Sequence, residues 1–366
     1  MLCLSLNQSG HISDMKNLFK TVVFPTDLNI PTRNTTPTFR VICKVAFKMA
    51  TMKAWQYKAI HGGLEKSIEL NTSTPSPPSA TLSKGQFLIQ VITSAINPVD
   101  YKIPELGFPA KFIVGFPAIP GQDFCGRVVG ASSSDDVFKV GDVVFGTLGK
   151  PTQVGTLSEY TVASSEGSAH LPNGVDPDQA AAVGTAGLTA FQCLPKDIVK
   201  PGCKVFINGG SGGTGTWGIQ FARILGAEVT TSCSTHNVEL CKSLGPVFDL
   251  VVDNVGSPGL YEHGAEFIKP GGSYFQIGTP ASVAGAVTIV KRLFLPRYLG
   301  GGERPFRFIS FASKHDDLVE IGKWLSEGKA RAVIDEAFEF ENVPKAFEKL
   351  KTGHATGKII VHVDQK

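Results

Sequence analysis

The sequence predicts an α/β chain in which a β-rich module precedes a doubly wound parallel sheet. Three observations predict it. Short runs of β-branched and aromatic residues, punctuated by Gly and Pro, fill residues 49–172. A strand, a glycine-rich turn, a helix and a second strand follow one another from Lys204 to Thr231. Beyond about residue 306, helix, strand, helix and strand alternate to Val363.

The elements follow in order. Residues 1–48 lack sustained apolar periodicity and read as a disordered appendage or an over-extended gene model ahead of Met49 and Met52. With Arg33 and Arg40 as its only arginines and with Asp14 and Asp27 present, the segment is a poor mitochondrial presequence. The expected compartment is therefore cytoplasmic, and mitochondrial only if residues 1–48 serve as a presequence. Strand-like runs come next at 53–57, 87–92, 126–129, 142–145 and 158–162, with Thr72 to Ala80 read as a surface loop on account of Pro75, Pro77 and Pro78. Asp176 is the N-cap and Pro177 the first residue of a helix expected to reach about Leu194. Buried strands are expected at 204–207, 227–231, 248–253 and 273–277. A helix near 314–327, a strand at 333–340, a helix at 343–351 and a strand at 358–363 close the chain.

Composition excludes several classes. The 42% hydrophobic and 18% charged fractions are those of a globular protein. The net charge of +3 is misleading, because residues 1–48 carry +4 and the remainder −1, so nucleic acid is not an expected partner. The best candidate for a spanning segment, Ala281 to Val290, stops at Lys291 and Arg292, too short to span a bilayer. Seven dispersed cysteines without a C-x-x-C pair argue against a disulfide scaffold or a cysteine zinc lobe. There is no H-E-x-x-H and no G-x-S-x-G, and Ser165 with His170 makes no hydrolase. Glycine is in excess, 40 of 366 residues, so the backbone must turn tightly or approach something closely.

The densest cluster, residues 208–215 (NGGSGGTG), contains G-x-G-x-x-G at Gly210, Gly212 and Gly215. It follows an apolar strand and opens a helix, where free N–H groups and the positive end of the helix dipole suit a pyrophosphate. Ser211, Gly213 and Thr214 complete the expected dinucleotide cradle; the alternative is a tight turn without ligand. An NAD site would place a carboxylate at the end of the second strand. This chain has Ser232, Ser234, His236 and Asn237 there instead, which would tolerate and hydrogen-bond a 2′-phosphate. NADPH is therefore the expected cofactor, unless these residues only cap the next helix.

The segments NPVDYK (97–102), IPGQDFCGRVV (119–129), VGDVV (140–144), AAAVGTAGLTA (180–190), VELCKSLG (238–245) and GHATGKII (353–360), with the glycine loop, resemble those of the medium-chain dehydrogenase/reductase superfamily. The likeness spans residues 53–363. Within the superfamily it is to the zinc-free quinone oxidoreductase branch and the chloroplast-envelope quinone oxidoreductase-like group. The resemblance implies a GroES-like β-rich catalytic domain at 49–172, a Rossmann-type domain at 173–305 and a C-terminal segment, 306–366, that returns to the first. It also implies hydride transfer from NADPH to a quinone or an α,β-unsaturated carbonyl, and members are often homodimers.

Zinc-dependent relatives hold a metal with a Cys and a Gly-His-Glu. Asn97–Asp100 and Gly121–Asp123 stand in those places here, and Asp100 with Asp123 is a poor zinc set, so no zinc is expected. Donors must then stabilise charge on the substrate oxygen. By the resemblance, Tyr101 and Lys102 are the catalytic candidates; alternatively Tyr101 is a packed aromatic and Lys102 a cofactor contact. Asn97, Thr189, Gly278 and Lys358 match cofactor-side positions, with a helix-interior hydroxyl, an ordinary turn and a surface charge as the alternatives for the last three.

One departure stands out. Relatives follow the Ser-Leu-Gly at 243–245 with a further strand and crossover helix before the strand at 248–253; here only Pro246 and Val247 intervene. One strand-helix unit is thus expected to be missing from the Rossmann-type sheet, with a weakened adenine side of the site. The leading functional expectation is an NADPH-dependent quinone or enone oxidoreductase. The rivals are a pathway-specific enoyl reductase of secondary metabolism and a nucleotide-binding protein with little turnover.

Overall fold

The computed structural model describes residues 50–79, 82–132, 137–232, 247–278, 283–295 and 303–364. Strands β1 (Thr51–Gln56) and β2 (Glu69–Pro75) form an antiparallel ribbon. Residues 72–75, expected in a loop, therefore lie in β2. Pro75 sits at its last position opposite Thr51, on an edge where a missing N–H costs no ladder bond.

Strands β3 (Gln86–Ile96), β4 (Asp123–Ala131), β5 (Val143–Thr147), β6 (Tyr160–Ser164) and β7 (Ser168–His170) pair antiparallel, β6 along one edge of β3. Apolar side chains from both faces, among them Phe87, Phe124, Phe138 and Leu157, fill the core of this module. The second sheet is entirely parallel. Its strands are β8 (Lys204–Asn208), β9 (Glu228–Ser232), β10 (Phe248–Asp253), β11 (Ile268–Gln276) and β12 (Phe306–Phe308), in the order β12-β11-β10-β8-β9. The chain runs outward from β8 to β9 and then returns to β10 on the other side of β8. The switch point between β8 and β10 is where such a sheet opens a crevice at the carboxyl ends of its strands. Residues 233–246, on which the expected shortened connection falls, lie outside the described residues.

The chain then returns to the first sheet. Strand β14 (Lys358–His362) pairs antiparallel with β3, from Ile359 opposite Ile96 to His362 opposite Thr93, and β13 (Ile334–Glu339) runs parallel to β14. This pairing places Lys358 beside Asn97.

The helix expected from Pro177 to Leu194 is two helices, Pro177–Ala181 and Gly184–Gln192. Asp176 caps the first by accepting the Asp178 N–H at 2.8 Å. The break lies where the second meets Asp123. A Cβ on Gly184 would fall 2.3 Å from the Asp123 carboxyl, so only glycine admits this contact. One core cluster draws on both sheets: within it Phe221 lies against both Trp217 and Trp324, with Leu188 in the same cluster, and the Trp217 indole donates to Ala182 O at 3.1 Å. Each such side chain contributes roughly 2–3 kcal/mol by burial.

Asp253 ends β10 and fixes the loop after it. Fully buried, it accepts from Asn208 Nδ2, from the N–H groups of Val255, Gly256 and Ser257, and from the Tyr274 hydroxyl, all within 2.6–3.0 Å. Burial and the charge of Asp253 raise the Tyr274 phenol well above its ordinary value, so it stays a donor. Asp253→Asn keeps the size but turns an amide NH2 toward these donors. It should destabilise the protein by about 3 kcal/mol or more, since each orphaned buried donor costs about 1–3 kcal/mol. Urea unfolding of the two proteins checks this.

Candidate active site

The crevice at the switch point is a cleft of about 410 Å³. Its walls come from the glycine loop, the Asn254–Val255 loop, the Ile96–Pro98 segment and the Gly353–Ile359 segment, with Ala186 between them. It thus lies between the two sheets.

The glycine loop divides its labour. Gly209 takes a left-handed φ of +75°, and the N–H groups of Gly209 and Gly210 both donate to Ser232 O. Gly210 and Gly215 are packed from behind: a Cβ on Gly210 would collide with Thr231 Oγ1, and one on Gly215 with Gly209 O and Gly210 Cα. Gly212 differs. Its nearest neighbour would be Gly209 O at 3.7 Å, so the cleft in front of it is open. Helix Gly213–Ile224 starts there, with first-turn N–H groups that have no intrahelical acceptor. Ser211 O accepts from Gly357 N–H at 2.8 Å, which fastens the loop to the segment entering β14.

A buried polar seam underlies the cleft. Lys358 is 4% exposed, not a surface charge. Its ammonium donates to Ile96 O at 3.2 Å and to Asn97 Oδ1, and lies 3.4 Å from Asp123 Oδ2. Asn97 Nδ2 donates to Asp123 Oδ2 at 2.8 Å. The other carboxylate oxygen accepts from Thr185 N at 2.8 Å and Thr185 Oγ1 at 2.7 Å. Asp100 Oδ2 accepts the Asn97 N–H at 2.7 Å. Burial first, and the charge of Asp123 second, push the Asp100 carboxyl up to about 7 against the pull of the Asn97 N–H, Lys358 and Gln122. Sequence reasoning had Asp123 and Asp100 only as inadequate zinc ligands, and it missed Thr185.

The other expected residues fall variously. Gly210, Ser211, Gly212, Gly213, Thr214 and Gly215 form the loop and the start of its helix, and Asn97 and Lys358 line the cleft with them. Gly278 packs against the back of the Asn254–Val255 wall, where a Cβ would lie 2.2 Å from Asn254 O. Thr189 spends its proton on Thr185 O at 2.6 Å, one turn back in its own helix, which is the helix-interior arrangement. The Ser232 hydroxyl is buried and donates to Asn208 Oδ1 at 2.7 Å, supporting the loop from beneath rather than facing a ligand. Ser234, His236 and Asn237 lie outside the described residues. Tyr101 and Lys102 sit on the short helix Pro98–Lys102, but the cleft wall takes only Asn97 and Pro98 from this stretch. The half-buried Tyr101 ring has the Lys351 ammonium 5.7 Å from its centroid. Burial and the charge of Glu105 raise its phenol.

The donor set does not fit zinc. Both Asp123 oxygens are taken by Thr185, Asn97 and Lys358, and an ammonium occupies the place a second cation would need. Among the described residues no group of three His, Cys, Asp or Glu converges. The set does fit a dinucleotide, whose pyrophosphate matches an open helix N-terminus at which a side chain on Gly212 would fill the cradle. No described helix is long and apolar enough to cross a membrane.

Comparisons with known proteins agree with this architecture. The family model described as alcohol dehydrogenase GroES-like domain matches residues 83–173, and that described as zinc-binding dehydrogenase matches 225–361. The trans-enoyl reductase pgmF of Aspergillus terreus is 42% identical over 347 residues, covering 86% of this chain and 97% of that protein. The chloroplastic NADPH-dependent alkenal/one oxidoreductase of Arabidopsis thaliana is 31% identical, covering 85% and 79%. The structure of the quinone oxidoreductase from Coxiella burnetii superposes with a TM-score of 0.71 at 31% identity, covering 86% and 99%.

The seam has a pH signature. Asp100 holds its proton up to about pH 7 in the folded chain against an ordinary value near 3.8. The folded state therefore binds more protons in that window, and the contribution of Asp100 to stability falls as pH rises through it. Asp100→Asn removes this fall. The melting temperature of the variant relative to wild type should climb from pH 5 to pH 7 and level off above, as scanning calorimetry would measure.

Proposed function

Because the chain belongs to the medium-chain dehydrogenase/reductase superfamily, in its zinc-free quinone oxidoreductase-like branch, we propose that it is an NADPH-dependent reductase of quinones and α,β-unsaturated carbonyls. The carrying observation is the open glycine-loop helix terminus facing Asn97 and Lys358 across the cleft. When bound, NADPH supplies the hydride. The first-turn N–H groups of helix Gly213–Ile224 hold the pyrophosphate, and Gly212 and Gly213 let it approach the backbone. Lys358 and Asn97 close the opposite wall, and Gly278 supports the Asn254–Val255 wall from behind. In sequence, residues 233–237 after β9 hold no carboxylate, and Ser234, His236 and Asn237 among them are the proposed hydrogen-bond donors to the 2′-phosphate.

Reduction adds a hydride to one carbon of the substrate double bond and leaves negative charge on its oxygen. A donor must meet that charge. The Tyr101 hydroxyl and the Lys102 ammonium are the proposed proton sources, carried on the helix that follows the cleft wall, and the raised Tyr101 phenol remains protonated at neutral pH. No step passes through a metal.

A second reading is favoured by the 42% identity to a trans-enoyl reductase over 97% of its length. The same site would then reduce the enoyl group of a long polyene thioester. Initial rates of NADPH oxidation with a quinone, a short enone and a long polyene thioester separate the two. The first reading expects turnover of the small substrates, the second turnover of the thioester alone, and cofactor binding without any turnover would defeat both.

Two results should follow on the cofactor side. Trp fluorescence titration should give a Kd for NADPH at least tenfold below that for NADH. Gly212→Val should raise the NADPH Kd tenfold or more while moving the melting temperature by only a few degrees, because the added side chain clashes with no part of the fold and fills only the cleft space that the pyrophosphate needs.

A further inference from the structure

Asp123 is fully buried yet lines no wall of the cleft. It nevertheless touches both residues that close the cleft opposite the glycine loop. Its Oδ2 takes the Asn97 amide at 2.8 Å and has the Lys358 ammonium at 3.4 Å, while Oδ1 is held by two bonds from Thr185 at the start of the next helix. The Lys358 side chain in turn abuts the glycine loop: a Cβ on Gly213 would lie 2.9 Å from Lys358 Cδ. One carboxylate thus connects β4, the Asn97 turn, β14 and the helix Gly184–Gln192.

We propose that Asp123 is a positioning residue that acts on the cofactor through Lys358. A long lysine side chain has several rotamers, and its ammonium is strongly hydrated when free. Held by Asp123, Asn97 Oδ1 and Ile96 O, it has one position, with its stem against the first turn of the glycine-loop helix. Thr185 keeps the carboxylate itself from turning. The bland alternative is that Asp123 merely neutralises a buried charge and that any effect of its loss on binding follows from lost stability.

The inference rests on the NADPH reading of the site, so the experiment separates the two. Asp123→Asn, Lys358→Met and the double variant are compared with wild type in NADPH affinity, by fluorescence titration, and in the melting temperature of the cofactor-free protein. If Asp123 acts through Lys358, each single variant weakens NADPH about tenfold or more and the double variant binds no more weakly than Lys358→Met alone, a non-additive cycle. Losses that multiply in the double variant, or Asp123→Asn binding within twofold of wild type, would overturn it. Should Asp123→Asn not fold, the double variant, which buries no charge at either position, is compared with Lys358→Met: equal affinity supports the proposal, and a further loss or failure of the double variant to fold refutes it. If wild type binds no NADPH, the cofactor reading falls, while melting temperatures of the cofactor-free variants still test the coupling: additive losses would count against it.

Discussion

A carboxylate without water must find its hydrogen bonds in the protein, and Asp123 finds them from three directions. That constraint organises the centre of the molecule. Thr185 must present both its N–H and its hydroxyl, which fixes where the helix Gly184–Gln192 begins and why Gly184 has no side chain. Asn97 must turn its NH2 toward Asp123, which leaves its carbonyl oxygen for Lys358. Lys358 must then enter β14 from the side of the glycine loop. Replacing such a buried pair with apolar residues is often neutral for stability, so what it contributes is better sought in the uniqueness of the arrangement.

The glycine excess finds its meaning at the same junction. Gly210 and Gly215 are required by what lies behind the loop, Gly212 by what must fit in front. The backbone bond from Gly357 to Ser211 ties the loop to the strand that returns to the first sheet, so the two walls of the cleft are fastened at one end. A pyrophosphate seated at the helix terminus would thus meet a wall already placed, which lowers the ordering cost of binding.

Much of this was legible in the sequence. The helix 343–351 and the strand 248–253 are legible to the residue, because local apolar patterns mark them. The glycine loop was legible because its motif sits between a strand and a helix. Local signals misled where tertiary context ruled. Three prolines made 72–80 look like a loop, yet an edge strand tolerates Pro75. A helix pattern ran unbroken through Gly184 because nothing nearby in sequence announces Asp123. The partners of Asp123 lie 26, 62 and 235 residues away, a separation no local pattern spans. A surface charge stayed open as the alternative for Lys358 for the same reason: its burial is decided by β3, not by its neighbours. Thr189 and Ser232 were chosen for hydroxyls that the fold had already spent.

The charge balance of the seam bears on how the cleft holds an anion. Among the described residues Lys358 is the cation of the cleft wall, but Asp123 neutralises it at 3.4 Å and Asp100 hovers between neutral and charged near pH 7. The seam as a whole therefore adds little net positive potential. Attraction for a pyrophosphate must come mainly from the oriented N–H groups and dipole of helix Gly213–Ile224, which act over about one turn. Such a source grips any dinucleotide at its centre and is blind to the ribose. Under the proposed reading, discrimination between NADPH and NADH would then fall to the residues that follow β9 in sequence, and the chemistry of the substrate to the far side of Asn97. Binding and selectivity are thus separable in this cleft, because the charge that would have blurred them is cancelled within the seam.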